Sequence, residues 1–212
     1  MDFENFISPS TGHKFVLKNN ILESKVGEKI QILNKIPRFA SEDNYTSAFG
    51  RQWKIYSEVQ LDSKNKTTLS EDRISIALGK SLNSIKGLKI IEAGSGAGRF
   101  TEILLKYGAK VYSFDLSEAV DANLNNNSGH PNLTIFQADI EKIPFEDNFF
   151  DISLCLGVMQ HTPNTLKSLT ELSRVTKNNG MILFDHYQKH PGQYLSLYLV
   201  FCFSLSLSLY LS

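Results

Sequence analysis

Three glycines at alternate positions, between an apolar run and a helical pattern, constrain this chain more than any other feature. Residues 92–98 read Glu-Ala-Gly-Ser-Gly-Ala-Gly and follow the apolar run 88–91. Gly94 and Gly96 have no Cβ, so the backbone can pass close to a ligand there, and the N–H groups before the next helix can hold a carboxylate. Gly98 lets that helix pack tightly on the strand. Residues 92–98, hereafter the glycine-rich motif, therefore predict a ligand-binding turn, and a plain tight turn is the alternative.

Strand-like and helix-like segments alternate around this motif. After the apolar run, helices are predicted over 100–107, 117–124 and 165–176, and strands over 110–115, 133–138, 151–158 and 181–185. Strands that alternate with helices of this length predict a parallel sheet covered on both faces. We therefore expect an α/β fold over residues 84–190, with a Rossmann-like, doubly wound, mostly parallel sheet that is truncated after its fifth strand.

The residues around the motif indicate which ligand it would bind. A nicotinamide dinucleotide fingerprint is Gly-x-Gly-x-x-Gly, and its third glycine, counted from Gly94, would fall at Arg99. Asp115 ends the next strand, where a carboxylate can accept hydrogen bonds from both hydroxyls of a ribose. Asp139, just beyond the third strand, can accept from an exocyclic amine of adenine while Ile140 packs on the base. The alternative for Asp115 is a residue that merely starts a turn before Ser117, and the alternative for Asp139 is a loop aspartate that satisfies local backbone donors.

Four segments in this order resemble the class I S-adenosylmethionine (SAM)-dependent methyltransferases, over roughly residues 86–190. The glycine-rich motif resembles that family's first motif, Asp115 stands where its ribose-binding acid stands, and residues 138–139 stand at its adenine contact. Residues 151–163 resemble its fourth-strand motif, in the variant of small-molecule methyltransferases that reads Gly-Val-x-x-His-Thr-Pro. The resemblance implies SAM as the cofactor and the following cofactor-binding residues: Glu92, Gly94, Gly96, Gly98, Asp115, Leu116, Asp139, Ile140 and Leu156.

The implied activity is transfer of a methyl group from SAM to a small-molecule acceptor that the sequence does not identify. Such a transfer needs no nucleophilic side chain, because the methyl group is already activated and the protein mainly supplies proximity and alignment. His161 is the candidate general base in a motif loop, with a structural or substrate-shaping role as the alternative. His186 has similar standing, so no catalytic residue is assigned. A SAM-binding but catalytically inactive or truncated methyltransferase-like protein is the second hypothesis.

Residues 1–40 predict a small β-rich module, because short apolar alternations are separated by turn residues. Residues 8–39 resemble the zinc-ribbon-type module that precedes some of these methyltransferases. Ser8 and Thr11 stand where that module has cysteines, and no cysteine precedes Cys155. We therefore expect the module to hold no metal.

Residues 41–83 are expected to form a linker and a helix. Residues 45–53 resemble the segment that follows the zinc-ribbon-type module in those proteins, where it often lies across the cofactor site. Ordinary core packing of Trp53 and Tyr56 is the alternative.

The charge balance and the cysteines bear on partners and location. The 22 Lys and Arg residues balance 22 Asp and Glu residues, so the chain lacks the basic excess that nucleic-acid binding usually needs. The two cysteines, Cys155 and Cys202, lie far apart, which favours a reducing compartment. The first residues show no signal-peptide pattern. We expect a cytoplasmic protein that does not bind nucleic acid.

Residues 191–212 form an apolar tail, and no charged residue occurs from 194 to 212. A helix of that length would nearly cross a bilayer core, which takes about 20 residues, so one interpretation is a membrane anchor. The alternation of Leu with Ser has instead the period of a strand, and a frameshift into a repeated CT dinucleotide would also encode it. No Gly, Asn or Asp divides the run into a hairpin. We expect one continuous helix or strand that does not complete the antiparallel end of a methyltransferase sheet.

Overall fold

The structure, a computed structural model, describes residues 3–40 and 56–187, and the backbone of residues 196–201. The elements in chain order are β1 (Phe15–Lys18), β2 (Ile21–Ser24), β3 (Lys29–Leu33), β4 (Ile36–Pro37), α1 (Asp62–Asn65), α2 (Leu69–Leu78), β5 (Lys89–Ala93), α3 (Arg99–Lys106), β6 (Lys110–Asp115), α4 (Ala119–Asn127), β7 (Leu133–Gln137), β8 (Phe150–Cys155), α5 (Thr165–Val175), β9 (Thr176–Tyr187) and β10 (Ser196–Phe201). Two 3-10 turns, Leu82–Ile85 and Met159–His161, lie between them.

The central sheet has the strand order β10-β9-β8-β5-β6-β7. Its five strands from β5 to β9 are parallel, and all five residues of β7 are buried, as in a sheet covered on both faces. The chain runs from β5 outward through β6 and β7, and then returns to the other side of β5 as β8. At such a switch point the carboxyl ends of the strands leave a crevice for a ligand. The expected Rossmann-like α/β fold is confirmed.

The sheet continues beyond its fifth parallel strand, where we expected it to end. β10 pairs antiparallel with β9, from Ser196 opposite Tyr187 to Phe201 opposite Ile182. The expected truncation therefore does not hold at this edge, because the open backbone groups of β9 accept another strand. The described part of the tail is one strand, one of the two forms that we expected, and the rest of residues 188–212 lies outside the described residues. Within those described, no helix is long and apolar enough to cross a membrane.

Residues 3–40 form the expected β-rich module, with an antiparallel sheet of order β1-β2-β3-β4. The turn between β1 and β2 is made by Asn19 and Asn20, with φ of 46° and 63°. Asparagine tolerates this left-handed backbone, which two-residue hairpin turns require. Short strands with this turn chemistry explain why so few residues fold into four strands.

The module does not have a core of its own. Phe6 is fully buried, and its ring centroid lies 5.2 Å from that of Phe136 in β7 and 5.0 Å from that of Phe145. The crossover from β7 to β8, residues 138–149, lies wholly within the described chain and contains no helix. The module therefore covers the face of the sheet that a crossover helix would cover. Arg38 adds an ion pair with Asp121 of α4 at 2.8 Å.

Candidate functional site

The glycine-rich motif lies at the carboxyl end of β5 and leads into α3. Gly94, Gly96 and Gly98 have φ of 72°, 51° and 90°, the left-handed region that favours glycine. A Cβ on Gly94 would collide with the side chain of Val158, and a Cβ on Gly98 would collide with Asn123 Oδ1. Gly98 thus allows close approach of α4, a contact that the sequence had not indicated.

A cavity of about 310 Å³ opens at the carboxyl ends of β5, β6, β7 and β8. Its lining includes seven residues that were named from the sequence: Gly94, Gly96, Asp115, Leu116, Ile140, Leu156 and His161. Glu92, Gly98 and Asp139 are not among the lining residues. The structure therefore brings most of the predicted site residues together and places three of them behind or beside the cavity wall.

Asp115 connects the motif to the loop before α4. Its Oδ2 accepts a hydrogen bond from the Gly96 N–H at 3.0 Å, and its Oδ1 accepts from the N–H and the hydroxyl of Ser117 at 2.8 and 2.7 Å. A carboxylate oxygen has more than one acceptor position. Asp115 can therefore hold the loop in shape and still accept from a ligand in the cavity that it lines.

Asp139 has a more local role in the structure. Its Oδ1 accepts from the Glu141 N–H at 2.9 Å, which is the two-residue turn that aspartate often stabilises. Its neighbours Ala138 and Ile140 line the cavity instead. The contact with an adenine amine stays a prediction, and the local turn accounts for the contact that Asp139 makes here.

Glu92 lies beneath the motif and is almost completely buried, with 1% exposure. Its Oε2 accepts from the hydroxyls of Thr101 in α3 and Ser113 in β6, at 2.5 and 2.9 Å. Burial raises the pKa of Glu92 to about 7, although these hydrogen bonds act in the opposite direction. Glu92 thus supports the motif from below and does not line the cavity.

Sequence reasoning missed the cationic part of the cavity. Arg73 of α2 and Arg99 of α3 both line it. The Arg73 guanidinium pairs with the buried carboxylate of Asp185, which also accepts from the Gly157 N–H at 2.5 Å. Asp185 lies near the carboxyl end of β9, and its place near the end of a strand of the parallel sheet could have identified it. No local signal in the sequence distinguishes Arg73.

The two candidate histidines lie in different surroundings. His161 ends the 3-10 turn after β8, and it lines the cavity with Thr162. His186 is exposed on β9 and is not among the lining residues. The segment 45–53, which includes Trp53 and was expected near the cofactor site, lies outside the described residues.

Ser8 and Thr11 form a cluster with Glu28. Their hydroxyls donate to the two oxygens of that carboxylate at 2.7 and 2.8 Å, and Ser24 donates to it at 3.3 Å. Hydrogen bonds from Ser8 and Thr11 lower the pKa of Glu28. In the part of the chain that the structure describes, no cluster of three His, Cys, Asp or Glu residues could hold a metal ion.

Comparisons with known proteins agree with this fold. Residues 91–184 match the model of a family described as a methyltransferase domain. A ubiquinone biosynthesis O-methyltransferase of Coxiella burnetii is 28% identical over 114 residues, which are 53% of this chain and 49% of that protein. The chain therefore spans about half the length of this curated relative.

Two solved structures share the fold. A SAM-dependent methyltransferase of Aquifex aeolicus has a TM-score of 0.52 and 21% identity, over 71% of this chain and 78% of that one. A Methanococcus maripaludis protein described as a SAM-dependent methyltransferase has a TM-score of 0.54 and 19% identity, over 68% and 65%. At these identities the two structures show a shared fold alone, and the family match over residues 91–184 agrees with the methyltransferase resemblance of the motifs.

Proposed function

We propose that this chain binds SAM in the cavity and transfers its methyl group to a small-molecule acceptor. One observation carries the proposal: the glycine-rich motif, Asp115 and two arginines surround the same cavity. A nicotinamide dinucleotide is disfavoured by the spacing of the glycines.

The cavity residues fit the chemical groups of SAM. Arg73 and Arg99 carry the opposite charge to the carboxylate of the methionine part. Asp115 supplies acceptors for the ribose hydroxyls, and the apolar side chains of Ile140 and Leu156 suit the adenine ring. The volume of about 310 Å³ is at the lower end of the range for ligand pockets.

The residues of the chain would mainly align the two reactants. Bound SAM supplies a methyl group that is already activated for displacement. The motif and Asp115 fix the position of the cofactor, and the turn at Met159–His161 forms the wall beside it. The His161 imidazole can take a proton from an acceptor hydroxyl or amine, provided that the acceptor lies within hydrogen-bond reach.

A SAM-binding but inactive protein is the competing hypothesis. The sequence favoured that hypothesis because the sheet was expected to lack the strands beyond its fifth. Because β10 occupies the edge next to β9, that argument loses its main support, and we favour an active enzyme.

Titration calorimetry with SAM, S-adenosylhomocysteine (SAH) and NAD tests the cofactor. We expect SAM and SAH to bind and NAD not to bind, and binding of NAD alone would overturn the proposal. A metabolite screen by mass spectrometry, with labelled SAM, then tests the activity. Because the matched Coxiella protein is named an O-methyltransferase, hydroxylated acceptors come first in that screen. SAH binding without any labelled product would favour the inactive protein.

We also propose a cytoplasmic location, on the grounds of the two distant cysteines and the buried, reduced Cys155. Cell fractionation tests it. Recovery in the membrane pellet would instead support contact through the tail.

A further inference from the structure

Helix α4 places a fully buried asparagine behind the glycine-rich motif. Asn123 Nδ2 donates to Thr101 Oγ1 at 3.0 Å and to Ser113 Oγ at 2.9 Å. Both hydroxyl oxygens also lie within hydrogen-bond distance of Glu92 Oε2. Because the amide gives its two protons to these oxygens, each hydroxyl can give its own proton to Glu92. Asn123 therefore orients the hydroxyls that hold the acid of the motif.

The same helix also holds the end of the motif directly. Asn127 Nδ2 lies 2.9 Å from Asn123 Oδ1 and 3.2 Å from the carbonyl oxygen of Gly98. Asn126 Nδ2 donates to the carbonyl oxygen of Ala97 at 2.9 Å. The last two carbonyl groups of the motif thus accept from side chains of α4.

Two further features agree with a specific role. A Cβ on Gly98 would collide with Asn123 and Asn127, so the motif and the helix are complementary in shape. Asparagine is a poor residue for a helix interior, because its side chain competes for backbone hydrogen bonds. Yet four of the nine residues of α4 are asparagine, and three of them donate hydrogen bonds outside the helix.

We infer that Asn123 and Asn127 are positioning residues for the cofactor loop, which fix the backbone of the glycine-rich motif before the cofactor binds. Neither side chain lines the cavity, so both act through the motif. A loop that is already ordered loses less conformational freedom on binding, and affinity rises accordingly. The inference rests on the proposed function, because it takes the motif as the SAM loop.

Calorimetry with SAH on the full chain tests the inference. Asn127→Ala and Asn123→Ala are each expected to weaken SAH binding about tenfold, since each leaves a partner without its hydrogen bond. Asn125→Ala is the matched control, because this residue is exposed on the same helix, and its affinity should stay within about twofold of the original. Should Asn123→Ala fail to fold, Asn127→Ala carries the test, because Asn127 is only partly buried.

Two readouts separate positioning from a general loss of stability. Gly98→Ala should weaken SAH binding less in the Asn123→Ala background than in the original chain, because the collision with Oδ1 is removed. In NMR spectra, Asn127→Ala should shift the amide signals of Gly96 and Gly98 and leave those of residues 3–40 unchanged.

The outcomes distinguish this inference from the proposed function. If the original chain does not bind SAH, the proposed function fails and the inference fails with it. If the original chain binds SAH and a folded Asn127→Ala variant has the same affinity and the same Gly98 signal, the inference alone is overturned.

Discussion

Burial of the Glu92 carboxyl group predicts that the stability of the fold depends on pH. Burial and the nearby negative charge of Asp115 both favour the neutral form, and the pKa rises to about 7. An acid with a higher pKa in the folded than in the unfolded chain stabilises the fold at low pH. This contribution is complete below the unfolded value of about 4.5 and is lost as the pH rises through about 7.

We therefore expect Glu92→Gln to change the pH dependence of stability. Between about pH 4.5 and about pH 8, the original chain should lose on the order of 3 kcal/mol of unfolding free energy relative to the variant. Urea unfolding at a series of pH values measures this difference. Glu58→Gln, at an exposed ion pair with Lys64, is the control, and parallel curves for Glu92→Gln and the original chain would contradict the prediction.

Asp115→Ala is expected to weaken SAH binding. The change removes the partner of the Gly96 N–H and the acceptors that we propose for the ribose hydroxyls, and each group left without a partner costs about 1–3 kcal/mol. Calorimetry should show a Kd at least about tenfold higher. Asp147→Ala, at an exposed ion pair with Arg174, is the matched control. Unchanged affinity in Asp115→Ala would show that this residue has no cofactor role.

The His161→Ala variant distinguishes a role of His161 in methyl transfer from a role in cofactor binding. If the imidazole takes a proton from the acceptor, turnover should fall by about 10²–10⁴-fold while SAH affinity stays nearly constant. His186→Ala, at an exposed residue, should change neither the turnover nor the SAH affinity. The measurement requires the acceptor found in the screen, and an equal turnover in both variants would assign His161 a structural role.

The residues that sequence reasoning identified share a short-range signal. Gly94, Gly96 and Asp115 follow strands at recognisable spacings, because a loop at the end of a strand has to adopt a restricted backbone. Arg73 could not be identified in this way, since its place at the cavity depends on how α2 packs against α3. Asn123 could not be identified either, because its role depends on how α4 packs behind the motif. From the sequence alone it is an ordinary polar residue of a helix.

At the scale of elements, the N-terminal module acts as a cover for the sheet. Its strands and the turn at Asn19 and Asn20 are predictable, because hairpins depend on neighbouring residues. The docking of the module against Phe136 and Phe145 is not predictable from the sequence, because an apolar strand face does not specify its partner. The helices predicted from the sequence include none between β7 and β8, but the sequence does not show that the module takes the place of such a helix.

Phe6→Ala should therefore destabilise the whole domain and not only the module. Removing a fully buried ring from between β7 and the 138–149 crossover is expected to cost about 3–5 kcal/mol of unfolding free energy. Chemical denaturation followed by circular dichroism of the whole chain measures it. Val16→Ala, at a side chain that is 59% exposed, should change stability by less than about 0.5 kcal/mol. A separate early transition for the module would contradict the shared core.

At the scale of the whole molecule, the sheet has a cavity at the carboxyl ends of its central strands and the antiparallel strand β10 at its edge. Among the described strands, β10 pairs with β9 only. The lack of turn residues in the tail correctly excluded a hairpin over residues 196–201, but the choice between helix and strand depended on whether β9 offered an open edge. Whether β9 has an open edge is a property of the assembled sheet and cannot be predicted from the residues of the tail.

A chain that ends at residue 193 tests the role of this edge. We expect it to keep SAH binding, because the cavity is lined from β5, β6, β7 and β8 and from α2 and α3. The uncovered edge of β9 should promote self-association, which analytical ultracentrifugation measures. A shortened chain that unfolds and loses SAH binding would show that β10 is integral to the domain.

The shared aromatic core also has a consequence during synthesis. Residues 3–40 leave the ribosome before residues 136–145, so Phe6 can contact Phe136 and Phe145 only after those later residues have emerged. Until then, the nascent chain carries an unpaired phenylalanine-rich surface, the kind of surface that chaperones bind and that aggregates at high concentration. The module is thus synthesised before the residues that it packs against. We therefore expect the yield of folded protein in cells to depend on the supply of chaperones.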